Sequence, residues 1–537
     1  VYKVGMAWPL EPEGLRAFAS GHRELLFVEE KRPIVEEQAA SVMFNMPASD
    51  RPSLSGKRTA EGAPLISSDG ELSPAGIALV IADRLTALGL TTDTINDRAR
   101  AIDARLNAAT PTSNTGDVNR TPAFCSGCPH NTSTRVPEGS IALAGIGCHT
   151  MAMWMPDRET APPTQMGGEG ANWIGMAHFT DMKHVFQNMG DGTYFHSGLL
   201  ALRAAVAANV NVTYKILHNH VVAMTGGQQI DGELGVDEIA RQVIAEGVTH
   251  VHVVSDDPSK FRSGAVLPPS VKVHDRDELI ALETELRDVE GVSVLIYEQG
   301  CAADKRRRRR RGTYPDPAKR YFINKSVCEG CGDCSAKSTC VSVMPVETPL
   351  GRKRRIDQST CNKDYSCVKG FCPSFVTVTG GQMRKRVSGG DDAAADEEMQ
   401  IPSPKLPDLS EPISMLVAGI GGTGVVTIGS VLGMAAHLEG KGCLLLDITG
   451  LSQKNGAVLS HVQFGATPND LASSRIGPGK CDVLLACDMI VGAGAEALKT
   501  VDAEHTTAIA NLRMVPTVQF QFDPKLDLQT HSIKARL

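Results

Sequence analysis

The sequence lacks several features that would place it in a common class of protein. It has no run of about 18 apolar residues, and its first residues lack the basic-then-apolar pattern of a secretory signal. Its net charge of −7 gives no indication of nucleic-acid binding. These absences predict a cytoplasmic protein with no membrane or nucleic-acid partner, and a length of 537 residues predicts three or four domains.

The chain is rich in grouped cysteines. It contains 14, of which those between Cys125 and Cys372 lie in short-spaced groups. Without a secretory signal, this spacing predicts metal or cluster ligation rather than disulfides. The remaining three, Cys443, Cys481 and Cys487, lie in apolar runs and are interpreted as core residues.

A β-strand, helix, β-strand pattern occupies the middle of the chain. Residues 184–189 and 212–217 have the apolar and β-branched composition of strands, and residues 197–208 have the apolar spacing of a helix. Such a unit forms two parallel strands joined by a right-handed crossover. Open α/β sheets of this kind bind ligands at the carboxyl ends of their strands.

Chemically capable residues follow both predicted strands. Asp191, between Gly190 and Gly192, follows the first strand, and Asn219 follows the second. Carboxylate and amide oxygens suit Mg²⁺, which binds a few protein oxygens together with phosphate oxygens. The glycines allow backbone N–H groups to approach those phosphates. The stretch therefore predicts a magnesium and phosphate site.

Four cysteines are predicted to converge around the same sheet. Cys125 and Cys128 form a Cys-x-x-Cys pair after a linker over 110–121, Cys148 lies in a glycine turn, and Cys301 follows the last strand of the domain. Four thiolates delivered by loops suit a [4Fe–4S] cluster. A structural zinc is the alternative.

Residues 321–380 contain two further ligand sets. Bacterial dicluster ferredoxins repeat a run of four cysteines in which the fourth ligates the other cluster. Applied here, that rule gives two sets: Cys328, Cys331, Cys334 and Cys372; and Cys340, Cys361, Asp364 and Cys367. In the second set Asp364 stands where the repeat has a cysteine. That site is expected to hold either a [4Fe–4S] cluster with oxygen ligation or a [3Fe–4S] cluster.

The last part of the chain has a glycine-rich loop, 419–424, between a predicted strand over 413–418 and a predicted helix over 425–438. Asp447 ends the next predicted strand. This is the pattern of a dinucleotide-binding unit, so NAD binding is one interpretation.

These motifs together resemble those of the 2-oxoacid:ferredoxin oxidoreductases, in particular the fused indolepyruvate branch. The resemblance implies that thiamine diphosphate binds through Mg²⁺ held by Asp191, Asn219 and the Val221 carbonyl. It implies cofactor contacts from a larger group: Gly147, His149, Gly168, Glu169, Gly190, Asp191, Gly192, Asn219, Val221 and Thr225. His149 is also the candidate catalytic residue. The resemblance favours a gamma-type domain over NAD binding for the glycine loop and the segment 450–456 that follows it.

The architecture implied is an α/β multidomain protein with a parallel-sheet thiamine-binding domain, a small α+β dicluster ferredoxin module and a Rossmann-like gamma-type domain. The expected segments are a partial transketolase C-terminal-like domain over 1–110, the thiamine-binding domain over 118–304, an Arg-rich linker over 305–320, the ferredoxin module over 321–380, an acidic linker over 381–411 and a partial gamma-type domain over 412–537. For the six arginines from Arg306 to Arg311, a solvated linker is favoured over steering of an acidic electron carrier, with nucleic-acid binding third.

The implied reaction is oxidative decarboxylation of a 2-oxoacid, such as the aryl pyruvate indolepyruvate, to an acyl-coenzyme A and CO₂. Electrons would pass through up to three clusters to an external ferredoxin, and a homo-oligomer is expected. The alternatives are an electron-transfer subunit without thiamine chemistry and a non-oxidative thiamine-dependent decarboxylase. Both ends of the sequence look cut, and no segment resembles the pyrimidine-binding domain with its activating Glu. We therefore expect these residues alone to be inactive.

Overall fold

A computed structural model describes residues 1–107, 118–261, 267–381, 403, 408–449 and 455–537. The chain divides into two compact units. The first contains Val1–Asp117, Arg475–Asp482 and Leu498–Thr506, and the second contains Val118–Ser474, Val483–Ala497 and Thr507–Leu537. Among the described residues, no helix combines the length and apolar character needed to cross a membrane. Most of the two predicted linkers over 110–121 and 381–411, and residues 450–454 of the segment after the glycine loop, lie outside the described residues.

The first unit is built mainly from helices around a short parallel pair of strands. Its elements are α1 (Pro12–Ala19), β1 (Glu24–Leu26), α2 (Ile34–Met43), β2 (Ser53–Ser55), α3 (Pro74–Ala87) and α4 (Asp93–Asn107). Its small core consists of Leu10, Leu15, Ala19, Leu25, Ala39 and Met43. Glu29 accepts hydrogen bonds from the N–H groups of Val35 (2.8 Å) and Glu36 (2.9 Å), so it caps the first turn of α2.

A seven-stranded parallel sheet forms the core of the second unit. Its strands are β3 (Ala142–Leu143), β4 (Thr160–Ala161), β5 (Val185–Gly190), β6 (Val212–His218), β7 (His250–Ser255), β8 (Lys272–Asp275) and β9 (Val292–Glu298). They lie in the order β4-β3-β5-β6-β9-β7-β8, and every neighbouring pair is parallel. The associated helices are α5 (His130–Ser133), α6 (Ala171–Met176), α7 (Asp191–Thr193), α8 (Leu199–Ala208), α9 (Val236–Ala245) and α10 (Leu279–Leu286).

The predicted β-strand, helix, β-strand unit is confirmed. Strands β5 and β6 are adjacent and parallel, with Gly190 paired to Leu217, and α8 connects them after a π-helical turn over Tyr194–Gly198. Strands β6 and β9 are buried along their whole length, as expected for parallel strands covered on both faces. Strand β9 pairs with β6, although β7 and β8 come between them in the chain.

The next segment is smaller and antiparallel. It begins with α11 (Ala302–Arg310) and continues through β10 (Lys319–Ile323), α12 (Asp333–Ser338), β11 (Val343–Thr348), β12 (Gly351–Ile356) and β13 (Phe375–Thr379). Strand β10 pairs with β13, and β11 forms a hairpin with β12. Two of the cysteines predicted as ligands, Cys328 and Cys334, belong to its small core, and three more, Cys340, Cys361 and Cys367, pack against that core.

The final sheet has five strands in the order β15-β16-β14-β17-β18. Its elements are β14 (Ile413–Ile420), α13 (Val425–Leu438), β15 (Gly442–Ile448), β16 (Ala457–Gly465), β17 (Val483–Ala486), α14 (Met489–Gly492), α15 (Ala495–Leu498), β18 (Thr507–Ala510) and α16 (Thr530–Arg536). Strand β16 lies between β14 and β15 and is antiparallel to both. The strand that carries Asp447 is therefore not adjacent to the glycine-loop strand. A dinucleotide-binding unit requires adjacent parallel strands at this point, which argues against the NAD interpretation.

A buried ion pair joins the central strand of the large sheet to a covering helix. Lys215 on β6 lies 2.5 Å from Glu283 on α10, and both side chains are fully buried. Lys215 also donates a hydrogen bond to the Arg135 carbonyl at 2.8 Å. Burial raises the pKa of Glu283 to about 7, although Lys215 opposes the shift. Each charge therefore depends on the other for compensation.

We expect Glu283→Ala alone to lower the free energy of unfolding by about 3–5 kcal/mol, because it leaves Lys215 as an uncompensated buried charge. The double variant Lys215→Met/Glu283→Leu should recover most of that loss, since it removes both charges and keeps the volume. Denaturant unfolding of the three proteins measures the difference. Equal destabilisation by the single and the double change would contradict the predicted coupling.

Candidate functional site

Asp191 lies directly after β5, and its carboxylate forms hydrogen bonds with the loop that follows β6. Its Oδ2 accepts hydrogen bonds from the N–H groups of Asn219 (2.8 Å) and His220 (2.9 Å), and its Oδ1 accepts one from Gly192 (2.9 Å). A carboxylate has about four acceptor positions. Within the described part of the chain, three of them are filled and one on Oδ1 stays available. This is the arrangement expected of a carboxylate that donates one oxygen to a metal ion.

Asn219 links the predicted magnesium site to the cysteine sites. It is buried, and its side-chain oxygen accepts a hydrogen bond from the Val221 N–H at 3.3 Å. Its backbone carbonyl accepts a hydrogen bond from the N–H of Cys301 at 3.4 Å. The loops after β6 and β9 therefore touch. Val221 lies in the loop after β6, and Gly190 and Gly192 flank Asp191 at the end of β5. The metal and cofactor contacts predicted for these three residues stay predictions.

The four cysteines predicted to form the first cluster site border one cavity of about 330 Å³. Its lining includes Cys125, Cys128, Cys148, Cys301 and Asn219. Burial raises the pKa of Cys128 well above that of a free thiol, and the three other cysteines raise it further. Cys301, which was predicted as a ligand only from its position after the last strand of the domain, thus lies with the other three.

The thiols of this cavity are not gathered around one metal position. Among the residues that the structure describes, no group of three or more His, Cys, Asp or Glu side chains could hold one metal ion. Zinc requires four ligands at about 2.0–2.3 Å from a common point. The four thiols border the same cavity without meeting that requirement, and their assignment to a [4Fe–4S] cluster stays a prediction.

His149 lies between the cysteine cavity and the Asp191 loop. Its ring packs closely against three glycines: a Cβ on Gly145 would lie 2.8 Å from its Nε2, one on Gly147 2.6 Å from its Cε1, and one on Gly190 3.4 Å from its Cε1. Burial lowers the pKa of His149 to about 4. Its Nε2 is buried and has no hydrogen-bond partner within the described residues. The predicted catalytic residue therefore has a ring nitrogen free to bind a ligand.

Glu169 provides a second unpartnered polar atom in this region. The carboxylate is fully buried; its Oε2 accepts a hydrogen bond from the Gly167 N–H at 2.6 Å, and its Oε1 has no partner among the described residues. Burial raises the pKa of Glu169, although backbone N–H groups, including that of Ile146, oppose the shift. The carboxylate thus lies beside the turn that carries Gly147. The neighbouring Gly168 packs against the side chain of Gln165.

Thr225 occupies an exposed turn after β6. Its hydroxyl donates to Oε1 of Gln228 at 2.7 Å, and Gln228 Nε2 donates back to the Thr225 carbonyl at 2.9 Å. Gly226 and Gly227 both have positive φ, which glycine adopts readily. The structure therefore gives Thr225 a role in shaping the turn, and its contact with a cofactor stays a prediction.

The antiparallel segment brings together much of the two further ligand sets. A cavity of about 300 Å³ is bordered by Cys340, Cys361, Asp364 and Cys367. The N–H of Lys363 donates to Cys361 Sγ, and that of Gly330 donates to Cys328 Sγ, both at 3.4 Å. Backbone N–H groups directed at sulfur are typical of loops that hold clusters.

The other set is only partly gathered by the structure. Burial raises the pKa of Cys334 to about 11, with Arg354 opposing the shift and Cys328 and Cys331 adding to it. These three thiols therefore lie close together, and Cys331 is exposed to solvent. Membership of Cys372, whose Sγ lies 3.0 Å from Ser374 Oγ, stays a prediction.

The loops of two predicted cluster sites are in direct contact, which the sequence did not predict. Ser126 Oγ, between Cys125 and Cys128, lies 3.2 Å from Cys340 Sγ. Asn362 Nδ2 donates to the Ser126 carbonyl at 2.8 Å. Gly127 has φ +63°, and a Cβ there would lie 2.8 Å from the Cβ of Asp364. A glycine at this position lets the two loops approach.

The arginine-rich run is part of α11, and three of its side chains are engaged with neighbouring loops. Arg306 donates to the carbonyls of Ser359 and Thr360, Arg309 donates to the carbonyl of Asn362, and Arg307 donates to the carbonyls of Gly226 and Gly227. A solvated linker does not describe these three residues. They join the domain of the seven-stranded parallel sheet to the antiparallel segment.

Comparison with known sequence families gives three matches that do not overlap. "Indolepyruvate oxidoreductase domain" matches residues 1–109, "Thiamine pyrophosphate enzyme, C-terminal TPP binding domain" matches residues 145–254, and "Pyruvate ferredoxin/flavodoxin oxidoreductase" matches residues 414–527. The second match covers Asp191 and Asn219. Each family model matches one segment of the chain, and together the matches make the chain similar to the 2-oxoacid:ferredoxin oxidoreductases. The predicted resemblance is thereby confirmed, whereas the transketolase-like assignment of residues 1–110 and the other domain bounds stay predictions.

Individual relatives agree with this placement. Indolepyruvate oxidoreductase subunit IorA of Pyrococcus abyssi is 26% identical over 417 residues, which cover 71% of this chain and 57% of the relative. Indolepyruvate oxidoreductase subunit IorB of Pyrococcus horikoshii is 30% identical over 108 residues, 20% of this chain and 50% of the relative. The chain thus spans a little over half the length of these relatives. A solved 2-oxoglutarate:ferredoxin oxidoreductase from Magnetococcus marinus aligns over 37% of this chain and 68% of its own, at 19% identity and a TM-score of 0.27.

We expect Gly145→Ala to destabilise the protein by about 1–3 kcal/mol, because the added Cβ would lie 2.4 Å from the Asn188 carbonyl oxygen and 2.8 Å from His149 Nε2. Gly175→Ala is the matched control: Gly175 lies in α6 with open space around its Cβ position. Thermal unfolding should show a lower midpoint for the first variant and an unchanged or higher one for the second. Equal midpoints for Gly145→Ala and the parent protein would show that His149 is not held in this way.

Proposed function

We propose that this chain carries the thiamine diphosphate site and the electron outlet of an enzyme that oxidatively decarboxylates a 2-oxoacid. One observation supports this above the others. Asn219, whose backbone binds the Asp191 carboxylate, also borders the cavity formed by the four cysteines. The proposed metal-diphosphate site and the proposed cluster site would therefore be immediate neighbours, as one-electron transfer out of a thiamine enzyme requires.

The residues at the edge of the sheet fit Mg²⁺ and the diphosphate. The free position on Asp191 Oδ1, the Asn219 side chain and the Val221 carbonyl would bind Mg²⁺, which prefers oxygen ligands and keeps phosphate oxygens in its shell. When bound, thiamine diphosphate supplies the electron sink that makes loss of CO₂ from a 2-oxoacid feasible.

The two unpartnered buried atoms have a role in the same proposal. His149 Nε2 and Glu169 Oε1 are costly to leave without a hydrogen bond, so a bound cofactor or substrate would satisfy them. Gly147 packs closely against the His149 ring, and Gly168, next to Glu169 in the chain, packs against the Gln165 side chain. We assign to His149 and Glu169 the positioning of the ligand at the carboxyl edge of the sheet.

The cysteines would carry the electrons away. Cys125, Cys128, Cys148 and Cys301 would hold a cluster next to the thiamine site, and the contact between Ser126 and Cys340 leads to the next site. Up to three clusters would pass single electrons to an external ferredoxin. Coenzyme A would accept the acyl group.

The names of the relatives support a proposal for the substrate and the assembly. Their names specify indolepyruvate and two kinds of subunit. We propose an aryl pyruvate as the substrate, and a chain that combines segments similar to both subunits in one polypeptide. A cytoplasmic location and a homo-oligomer are part of the same proposal.

Replacement of Asp191 tests the thiamine site. In Asp191→Asn, bound thiamine diphosphate should fall by about 10–100-fold or more, because loss of even an outer contact to a metal ligand has an effect of that size. Iron content should not change, since the cysteines are intact. Asp181→Asn is the control, because Asp181 is exposed and precedes β5.

Thiamine and iron are measured on protein purified without oxygen and supplied with both cofactors. Loss of thiamine in Asp191→Asn alone supports the proposal. Unchanged thiamine in both variants would instead favour an electron-transfer subunit without thiamine chemistry.

A further inference from the structure

Asp364 differs from Asp191 in how its acceptor positions are used. Its Oδ1 accepts hydrogen bonds from Arg276 Nη1 (2.5 Å) and Gln299 Nε2 (3.0 Å). Its Oδ2 accepts one from the Ser366 hydroxyl and one from the Ser366 N–H at 3.3 Å. A carboxylate has about four acceptor positions. All four are therefore filled by protein donors, and none is left for iron.

Two of the donors to Asp364, Arg276 and Gln299, belong to the neighbouring sheet domain. Arg276 follows β8 and Gln299 follows β9, and the Gln299 side-chain oxygen accepts a hydrogen bond from the Tyr297 hydroxyl at 2.9 Å. Arg276 and Asp364 are both mostly buried, with side chains 10% and 13% exposed. Arg276 also donates to the Asp364 backbone carbonyl at 2.8 Å. A buried guanidinium that lost this carboxylate would be left without its counter-charge.

A second ion pair lies beside the first. Lys369 pairs with Asp277, the residue next to Arg276. The two pairs connect the same turn after β8 to the segment that carries Asp364 and Cys367. Asp364 is therefore one of several residues that fix this loop against the sheet domain.

The remaining ligands of this site number three. Cys340, Cys361 and Cys367 border the cavity of about 300 Å³ together with Asp364. The first cluster cavity, of about 330 Å³, is bordered by four cysteines. A [4Fe–4S] cluster on protein thiolates takes four ligands, and this site provides three.

We propose that Asp364 anchors the antiparallel segment to the sheet domain and does not ligate iron, so that Cys340, Cys361 and Cys367 hold a [3Fe–4S] cluster. This rests on the proposed function only in taking the cysteines as cluster ligands. Because Ser126 contacts Cys340, the three-iron cluster lies next to the cluster of Cys125 and Cys128. It is therefore an inner member of the chain of clusters.

The test uses the full chain, purified anaerobically with its clusters, and two variants. Iron analysis, Mössbauer spectroscopy and EPR of the oxidised protein are applied to the parent protein, Asp364→Asn and Asp364→Cys. We expect about 11 irons per chain and an oxidised three-iron EPR signal in the parent protein. Asp364→Asn should keep the iron content and the three-iron signal, because the three thiols are intact, but it should unfold more readily than the parent protein, because Arg276 loses its counter-charge. Asp364→Cys should add about one iron and lose the signal, because it supplies the fourth thiolate.

The contrary result is a parent protein with about 12 irons and no three-iron signal, from which Asp364→Asn loses one iron and gains the signal. That pattern would identify Asp364 as a ligand and overturn the proposal. The parent measurement decides between the two even if Asp364→Cys fails to fold. If the first cavity also held no cluster, that result would count against the proposed function. A parent protein with about 12 irons would overturn only the assignment of Asp364 and would leave the proposed function intact.

Discussion

The candidate site depends on a set of hydrogen bonds at the carboxyl edge of the parallel sheet. The Asp191 carboxylate accepts the N–H groups of Asn219 and His220, and the Asn219 carbonyl accepts the N–H of Cys301. These bonds tie together the loops after three adjacent strands, β5, β6 and β9. Without them, the oxygens proposed to bind the metal ion and the fourth cysteine of the first cavity would belong to independent loops. The same backbone contacts therefore shape both the proposed phosphate end of the thiamine site and the wall of the proposed cluster site.

The two aspartates predicted as ligands differ in how many acceptor positions of their carboxylates are occupied by protein donors. Asp191 keeps one position open, whereas Asp364 has its positions filled by Arg276, Gln299 and Ser366. Both are carboxylates at loop positions of a motif, so residue type alone does not separate them. The separation comes from the donors that surround them. We therefore propose Asp191 as a ligand, because an acceptor position on its carboxylate is open, and Asp364 as an anchor, because its acceptor positions are filled.

Local patterns predicted much of the fold. The apolar periodicity predicted β5, α8 and β6, with most of their bounds within one residue of the structure, and it predicted both ends of α13. It succeeded because those segments are buried or amphipathic along their length. The Cys125-x-x-Cys128 spacing, together with the positions of Cys148 and Cys301 after predicted strands, was sufficient to group the four cysteines of the first cavity. Strand order was not predictable: β9 pairs with β6 and β16 separates β14 from β15, and both depend on packing between distant segments.

The contacts between domains could also not be predicted from the sequence. The run from Arg306 to Arg311 has the composition of a solvated segment, and nothing local indicates that its carbonyl partners lie near. The bond from Arg276 to Asp364 joins residues far apart in the chain. Gly127 matters because another loop approaches it closely, which its own neighbours in the sequence do not reveal.

The most direct test of the account is anomalous diffraction at the iron and zinc absorption edges from anaerobically grown crystals of the cluster-loaded protein. We predict iron in the cavity of Cys125, Cys128, Cys148 and Cys301, beside the Asp191 and Asn219 loops, and no zinc there. Zinc in that cavity, or iron in the antiparallel segment alone, would contradict the account, since the thiamine site would then have no neighbouring electron acceptor.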